Sequence, residues 1–230
     1  MKKIFLLTFL VFALQSQAQF GKDPLTNLEN WDKQRVHWGY FLGFNSYDFK
    51  IDYKDAVEED IAVKTNIGFN VGLIGNLRLN EYFDLRFEPG LYYAQRDLTF
   101  PGFEKTFDAE RPVKSTFIHF PLLVKYSALR TGNIRPFLLG GVSTTLNLSS
   151  NSNTQEDNVE QRFRVKQWTN NYELGFGIDL YFEYFKFSPS IRGVFGLKDE
   201  LIRDNNPNSP WTGNIESMKT RAIMVNFTFQ

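Results

Sequence analysis

Between Tyr172 and Phe182 every even position is apolar: Tyr172, Leu174, Phe176, Ile178, Leu180 and Phe182. The odd positions hold Glu173, Gly175, Gly177, Asp179 and Tyr181. A period of two predicts a β-strand with one apolar and one polar face. The next segment repeats the pattern with its parity switched: Phe185, Phe187, Pro189, Ile191, Gly193, Phe195 and Leu197 face one way, and Lys186, Ser188, Ser190, Arg192 and Lys198 the other. Only Glu183-Tyr184 is left to turn the chain. Strands of soluble sandwiches are mostly about 5–6 residues long. These pass the roughly 9–11 residues that a tilted strand needs to cross a bilayer. Charges confined to one face indicate a membrane β-barrel with its polar groups turned to the lumen.

The same reading predicts eight strands, about 36–49, 65–79, 82–99, 116–129, 134–149, 172–182, 185–198 and 219–229. The connections alternate. Residues 80–81, 130–133 and 183–184 are tight; residues 50–64, 100–115, 150–165 and 199–217 are long and polar. Transmembrane barrels have short periplasmic turns and longer external loops. The expected fold is therefore all-β: an eight-stranded, antiparallel, up-and-down transmembrane β-barrel with both termini in the periplasm. The soluble competitor is a lipocalin-like barrel, which turns its apolar side chains inward. Strand length and the three short turns at one end argue against it.

The chain start supplies an address. Lys2 and Lys3 precede an apolar run from Ile4 to Leu14, too short for a transmembrane helix, and Ser16-Gln17-Ala18 is a small-x-small cleavage site. Residues 1–18 are expected to be a signal peptide, 19–35 a periplasmic N-terminal segment and 36–230 the barrel. No cysteine follows the apolar run, so a lipoprotein anchor is excluded. Export and a barrel pattern together place the chain in the cell outer membrane, in contact with outer-membrane lipid.

The mean hydropathy of -0.34 excludes a helical membrane protein but suits a barrel with a polar lumen and wet loops. Aromatics reach 17%, including 24 Phe, as aromatic girdles require. Lys+Arg and Asp+Glu are 26 each, so no charge excess favours nucleic acid. The absence of cysteine excludes disulfides and thiolate metal sites.

A barrel of eight strands is just wide enough to be filled by its own side chains. The inward set includes Arg86, Glu88, Arg96, Lys125, Arg135, Glu173, Asp179, Lys186 and Arg192. Mixed signs predict a self-satisfied polar network, because isolated buried charges are costly. No catalytic, cofactor-binding or metal-ligating set emerges. Small outer-membrane hydrolases need a His with a Ser and a carboxylate. His37 falls at a strand start, and His119, in Phe117-Ile118-His119-Phe120-Pro121, faces inward as a hydrogen-bonded lumen residue. An enzyme is not expected. The acidic run Asp52, Asp55, Glu58, Glu59 and Asp60 reads as a solvated loop. Asp204-Asn205-Asn206 lacks the Gly and terminal Glu of a calcium loop. Residues 149–158 read as a polar, mobile loop. Ahead of strand one, Leu25, Leu28 and Trp31 stand among polar residues, which makes them candidate partner contacts.

The run Phe120-Pro121-Leu122-Leu123-Val124-Lys125-Tyr126 resembles a strand of the outer-membrane β-barrel domain family of small porin-like proteins. Arg135-Pro136-Phe137-Leu138-Leu139-Gly140-Gly141 and Gly175-Phe176-Gly177-Ile178-Asp179 resemble it too. Within that family, Tyr184 to Arg192, Gly196-Leu197, Ser217 to Met224 and Asn30-Trp31-Asp32 look most like the branch that serves the type IX secretion and gliding machinery. The resemblance implies an outer-membrane component or assembly factor of that machinery, in contact with its other proteins, with no catalytic residues to carry over. The alternative is a stand-alone small barrel with a ligand-binding, adhesion or envelope-anchoring role.

Overall fold

The computed structural model describes residues 27–230; the expected signal peptide and Leu25 lie outside the described residues. Ten strand segments are present: β1 (Val36–Tyr53), β2 (Ala62–Thr65), β3 (Ile67–Arg78), β4 (Phe83–Phe87), β5 (Gly90–Thr99), β6 (Glu110–Ser127), β7 (Ile134–Asn147), β8 (Trp168–Tyr181), β9 (Lys186–Gly196) and β10 (Ile215–Phe229). One helical turn, α1 (Thr106–Ala109), lies in a long connection. All pairings are antiparallel, and β1 pairs with both β3 and β10. The sheet therefore closes into a ring, and only the short β2, paired with β5 alone, keeps an unpaired side. β2 and β3 form one barrel strand interrupted at Asn66, and β4 and β5 another interrupted at Glu88-Pro89, which leaves eight strands around the ring.

The outward positions follow the alternation. Trp38, Leu42, Phe69, Leu73, Leu91, Leu122, Val124, Leu138, Leu174, Phe176, Ile191 and Ile223 are exposed. A monomeric soluble protein seldom exposes so continuous an apolar surface, and here it is the lipid belt. Aromatic rings mark both borders. Tyr40 stacks on Phe229 at 5.3 Å and Phe187 on Phe227 at 6.1 Å toward the short-turn end. Phe69 stacks on Tyr93 at 5.8 Å and Tyr172 on Phe195 at 5.0 Å toward the other.

The strands do not stop where the belt stops. β1 and β6 each contain 18 residues, roughly 60 Å of chain against a hydrocarbon core of about 30 Å. Past the belt the polarity inverts. On β1, Ser46, Asp48 and Lys50 turn outward while Tyr47 and Phe49 are buried. β6 does the same with Pro112 and Lys114 outside and Val113 inside, and β10 buries Ile215 and Met218. The strands thus leave the lipid and continue in water with an ordinary apolar interior. Phe49, Leu98, Phe100, Val113, Phe163, Val165, Leu201, Ile215 and Met218 form one cluster that fills this end.

Within the belt the interior is mixed. Phe41, Ile74, Tyr92, Phe117 and Met224 pack together in the lumen, and Tyr47 joins them from the edge of the belt. Gly72 makes room for them: a Cβ there would sit 2.5 Å from the Phe41 ring.

Candidate functional site

The interior is the place where chemistry is concentrated, and it is built in layers. At the short-turn mouth the segment before β1 folds across the opening. Trp31 to Lys33 form a single 3-10 turn. Leu28, with φ 45°, turns the chain ahead of it. Asp32 accepts from Arg130 at 3.4 Å, from Arg135 at 3.3 Å and from the Tyr181 hydroxyl at 2.7 Å. Arg130 also donates to the carbonyls of Asn27 and Leu28, and Arg135 to that of Glu81. The Trp31 ring stacks on His37 at 4.9 Å, and the Trp31 carbonyl bonds His37 Nε2 at 2.9 Å. Lys186, buried, lies with Nζ 5.7 Å from the Trp31 ring. Of the candidate partner contacts, Leu28 and Trp31 therefore belong to a strap that lies on the barrel mouth.

Above the strap come two charge clusters. Lys125 Nζ meets Asp179 Oδ2 at 2.5 Å, and Ser188 donates to the other Asp179 oxygen at 2.6 Å. Glu88 lies between Arg86 at 2.5 Å and Arg192 at 2.8 Å, and Arg192 reaches Glu173 at 3.1 Å. Glu173 also meets His119 Nε2 at 2.6 Å, and His119 Nδ1 meets Thr145 Oγ1 at 2.8 Å. A row of amides follows, with Asn45 donating to Asn70 at 3.3 Å and Asn70 to Asn226 at 2.7 Å. Arg96 then donates to Thr220 and Ser115, both at 3.2 Å, and stacks over the Phe49 ring at 3.8 Å.

Eight of the nine inward residues named from the sequence fall in these contacts; Lys186 has Trp31 beside it instead. Parity alone could not supply the cross-barrel partners, because they come from strands far apart in the chain. Two charged members were missed. Asp32 and Arg130 lie outside any alternating run, and no periodicity marks them.

The hydroxyl–imidazole–carboxylate order of Thr145, His119 and Glu173 has the form of a hydrolase triad. Its setting differs. His119 and Glu173 are fully buried, and the Thr145 hydroxyl also accepts from Asn171 Nδ2 at 3.1 Å. The triad-like row is part of the packed lumen.

At the far end the long connections fold over the apolar cluster. Asp157 caps the 3-10 turn Asn158–Glu160 in a capping box. Asp204 accepts from Asn158 Nδ2 at 2.9 Å, Thr212 at 2.9 Å and Ser209. Arg111 donates to Asn158 Oδ1 at 3.2 Å and lies 5.1 Å from the Trp211 ring. The Asp157-Asn158 and Asp204 segments thus hold one another, and residues 149–158, expected to be a mobile loop, are fastened to this lid. Asp204 thus ties the long connections to one another. Burial tends to raise the Asp199 carboxyl, but the amides of Met218 and Leu201 and the Arg203 guanidinium outweigh it and hold the group below the usual carboxylate range. Its neighbour Glu200 moves the other way. Burial pushes it up, and Arg96 and Thr220 offset only part of that effect.

A closed eight-strand ring with a lipid belt, aromatic borders and a filled lumen is the architecture of a small outer-membrane barrel. The profile described as "Outer membrane protein beta-barrel domain" matches residues 15–201, and the chain belongs to that family. It is an outer-membrane protein. Among solved structures it is similar to the outer membrane protein OprG of Pseudomonas aeruginosa, with 14% identity, 84% of this chain and 91% of that one covered, and a TM-score of 0.44. Neisserial surface protein A is similar at 8% identity, with coverage of 85% and 98% and a TM-score of 0.47. Ail of Yersinia pestis, in complex with the heparin analogue sucrose octasulfate, is similar at 12% identity, with coverage of 85% and 99% and a TM-score of 0.39. No curated protein sequence matches the chain.

Proposed function

We propose that this barrel serves the type IX secretion and gliding machinery as a component or assembly factor, through protein–protein contacts at its rims and not as a pore or an enzyme. The observation that carries the non-pore part is the interior. Charged clusters, amides and an apolar cluster fill it from the Asp32 strap to the folded connections, so cargo has no route through. The secretion part rests on the likeness of Tyr184 to Arg192 and Ser217 to Met224 to PorT. In this reading residues 1–18 are removed on export, both ends of the chain face the periplasm, and the strap with Leu28 and Trp31 is the surface nearest to periplasmic partners, with Leu25 a candidate contact by its place in the sequence. Deleting the gene and assaying type IX cargo in the medium tests the proposal, together with co-purification of the tagged barrel from native membranes. Lost secretion and recovery of other secretion components support it. Normal secretion with the barrel recovered alone replaces it with a stand-alone envelope barrel.

A further inference from the structure

The ladder between β1 and β3 ends with Val36 opposite Leu77. One step further, the Arg78 amide donates to the Arg35 carbonyl at 2.8 Å. Arg35 and Arg78 therefore stand directly across from each other on the short-turn rim, an arrangement that repels when both carry the same charge. Lys33 adds a third cation, and all three line one groove of about 380 Å³ with Leu77 and Leu79. No acidic residue lines it. Among the described residues none of the three enters an ion pair. Lys33 donates to Asn30 Oδ1 at 2.9 Å and Arg78 Nε to the Asn80 carbonyl at 3.2 Å, which leaves most of the donors on this rim unspent.

The opposite end behaves differently. There Arg221 meets Asp48 at 2.6 Å, Arg203 meets Asp199 at 3.0 Å and Lys50 meets Asp52 at 3.2 Å. Other exposed lysines, Lys54, Lys64 and Lys105 among them, also lack a carboxylate partner; the short-turn rim differs in gathering three such cations, two of them directly opposed, into one groove with no carboxylate in its lining. Their surroundings indicate what stands in for it. Leu79 is 57% exposed, and Trp38, 74% exposed, lies flat against Gly75 on the same outer wall. The groove thus joins cations to the edge of the lipid belt, at the level where Trp and basic side chains anchor membrane proteins.

We propose that Lys33, Arg35 and Arg78 bind the phosphate of an anionic phospholipid whose acyl chain lies along Leu77, Leu79 and Trp38. Forked guanidinium donors suit a phosphate's oxygens, and two facing arginines can share one phosphate, which turns their repulsion into attraction. A free phosphate ion satisfies the cations but leaves the apolar wall without a role, so the lipid is the better occupant. The inference holds whichever leaflet the short turns face, and it does not depend on a secretion role.

Native mass spectrometry of the full chain in detergent tests this, with short-chain phosphatidylglycerol and phosphatidylcholine as probes. Phosphatidylglycerol should be retained in preference. Each of R35Q and R78Q should lower that preference roughly fivefold, the effect of one basic residue near an anionic surface. K33Q, at an exposed position, should lower it as well, and serves alone if an arginine variant does not refold. K50Q on the opposite rim should change nothing. Equal retention of the two lipids by the unaltered protein overturns the proposal. So does displacement of phosphatidylglycerol by an equal concentration of inorganic phosphate, which identifies a free-anion site.

Discussion

Lys125 and Asp179 meet at 2.5 Å inside the barrel, 54 positions apart in the chain, with side chains 2% and 1% exposed. Neither can be removed alone without leaving a buried charge unpaired. Lys125→Met and Asp179→Asn should each cost about 3–5 kcal/mol, and the double variant well below their sum, because it strands no charge. Urea unfolding of the refolded barrel in lipid vesicles measures all three. Additive losses refute the pairing.

Lipid-face and lumen-face substitutions should separate sharply. Phe176→Arg places a guanidinium in the belt and should cost about 2–4 kcal/mol at the midplane. Ser127→Ala removes a buried hydroxyl that has no partner, and should be neutral or slightly stabilising in the same assay. Parity alone also suggests that Gly177→Ser, pointing inward, is mild. The structure corrects that expectation. A Cβ at Gly177 would lie 2.6 Å from the Pro189 carbonyl oxygen and 2.5 Å from the Phe137 ring, so this substitution should weaken the barrel as well.

One carboxylate gathers three of the donors that hold the strap. Asp32→Asn removes the charge that draws in Arg130 and Arg135. Hydrogen exchange over residues 27–35 should accelerate while the strands keep their protection. Tyr181→Phe, which deletes one hydrogen bond to the same carboxylate, should produce a smaller change of the same kind. An unchanged rate in the Asp32 variant refutes the latch.

The lid of long connections should have an acid limit set in part by Asp199. Its folded value lies below the ordinary 3.8, so the unfolded chain binds the proton more tightly. The stabilisation is complete above 3.8 and is lost as pH falls through the folded value. Asp199→Asn should flatten the acid limb of the melting curve of residues 199–217, followed by exchange. Glu200 has the opposite sign. Its value is raised above 4.5, so ionising it weakens the lid as pH rises toward the folded value, and Glu200→Gln should remove that loss.

The ring and its lipid belt could be read from the chain because lipid forces a strict alternation: each outward position must be apolar, and each charge must point in. Trp38, Phe176 and Ile223 follow this rule without exception. The rule expires with the lipid. β6 begins at Glu110, whereas the alternation suggests about Thr116, because Lys114 outside and Val113 inside obey the logic of a soluble strand. The same inversion hides the start of β10 at Ile215. The breaks at Asn66 and Glu88-Pro89 were invisible for another reason. Across Glu88-Pro89 the parity is kept, with Arg86 and Tyr92 both inside, so that bend leaves no trace; at Asn66 it switches, from Val63 inside to Asn70 inside, at the edge of a stretch that reads as a loop. Side-chain pairings such as Arg192 with Glu88, 104 residues apart, depend on register around the whole ring, which no local pattern carries.

The apolar cluster above the belt also orders events in time. Ile215 and Met218 come from the last strand, and the cluster they complete includes Phe49 from the first. The seam that unites them pairs Tyr40 with Phe229. Contacts so remote in the chain form late and slowly. A chain truncated before residue 215 should therefore leave its lid open to protease, however well β3 to β9 have paired. Closing the cylinder and sealing its top are one event, and residues 215–229 decide both.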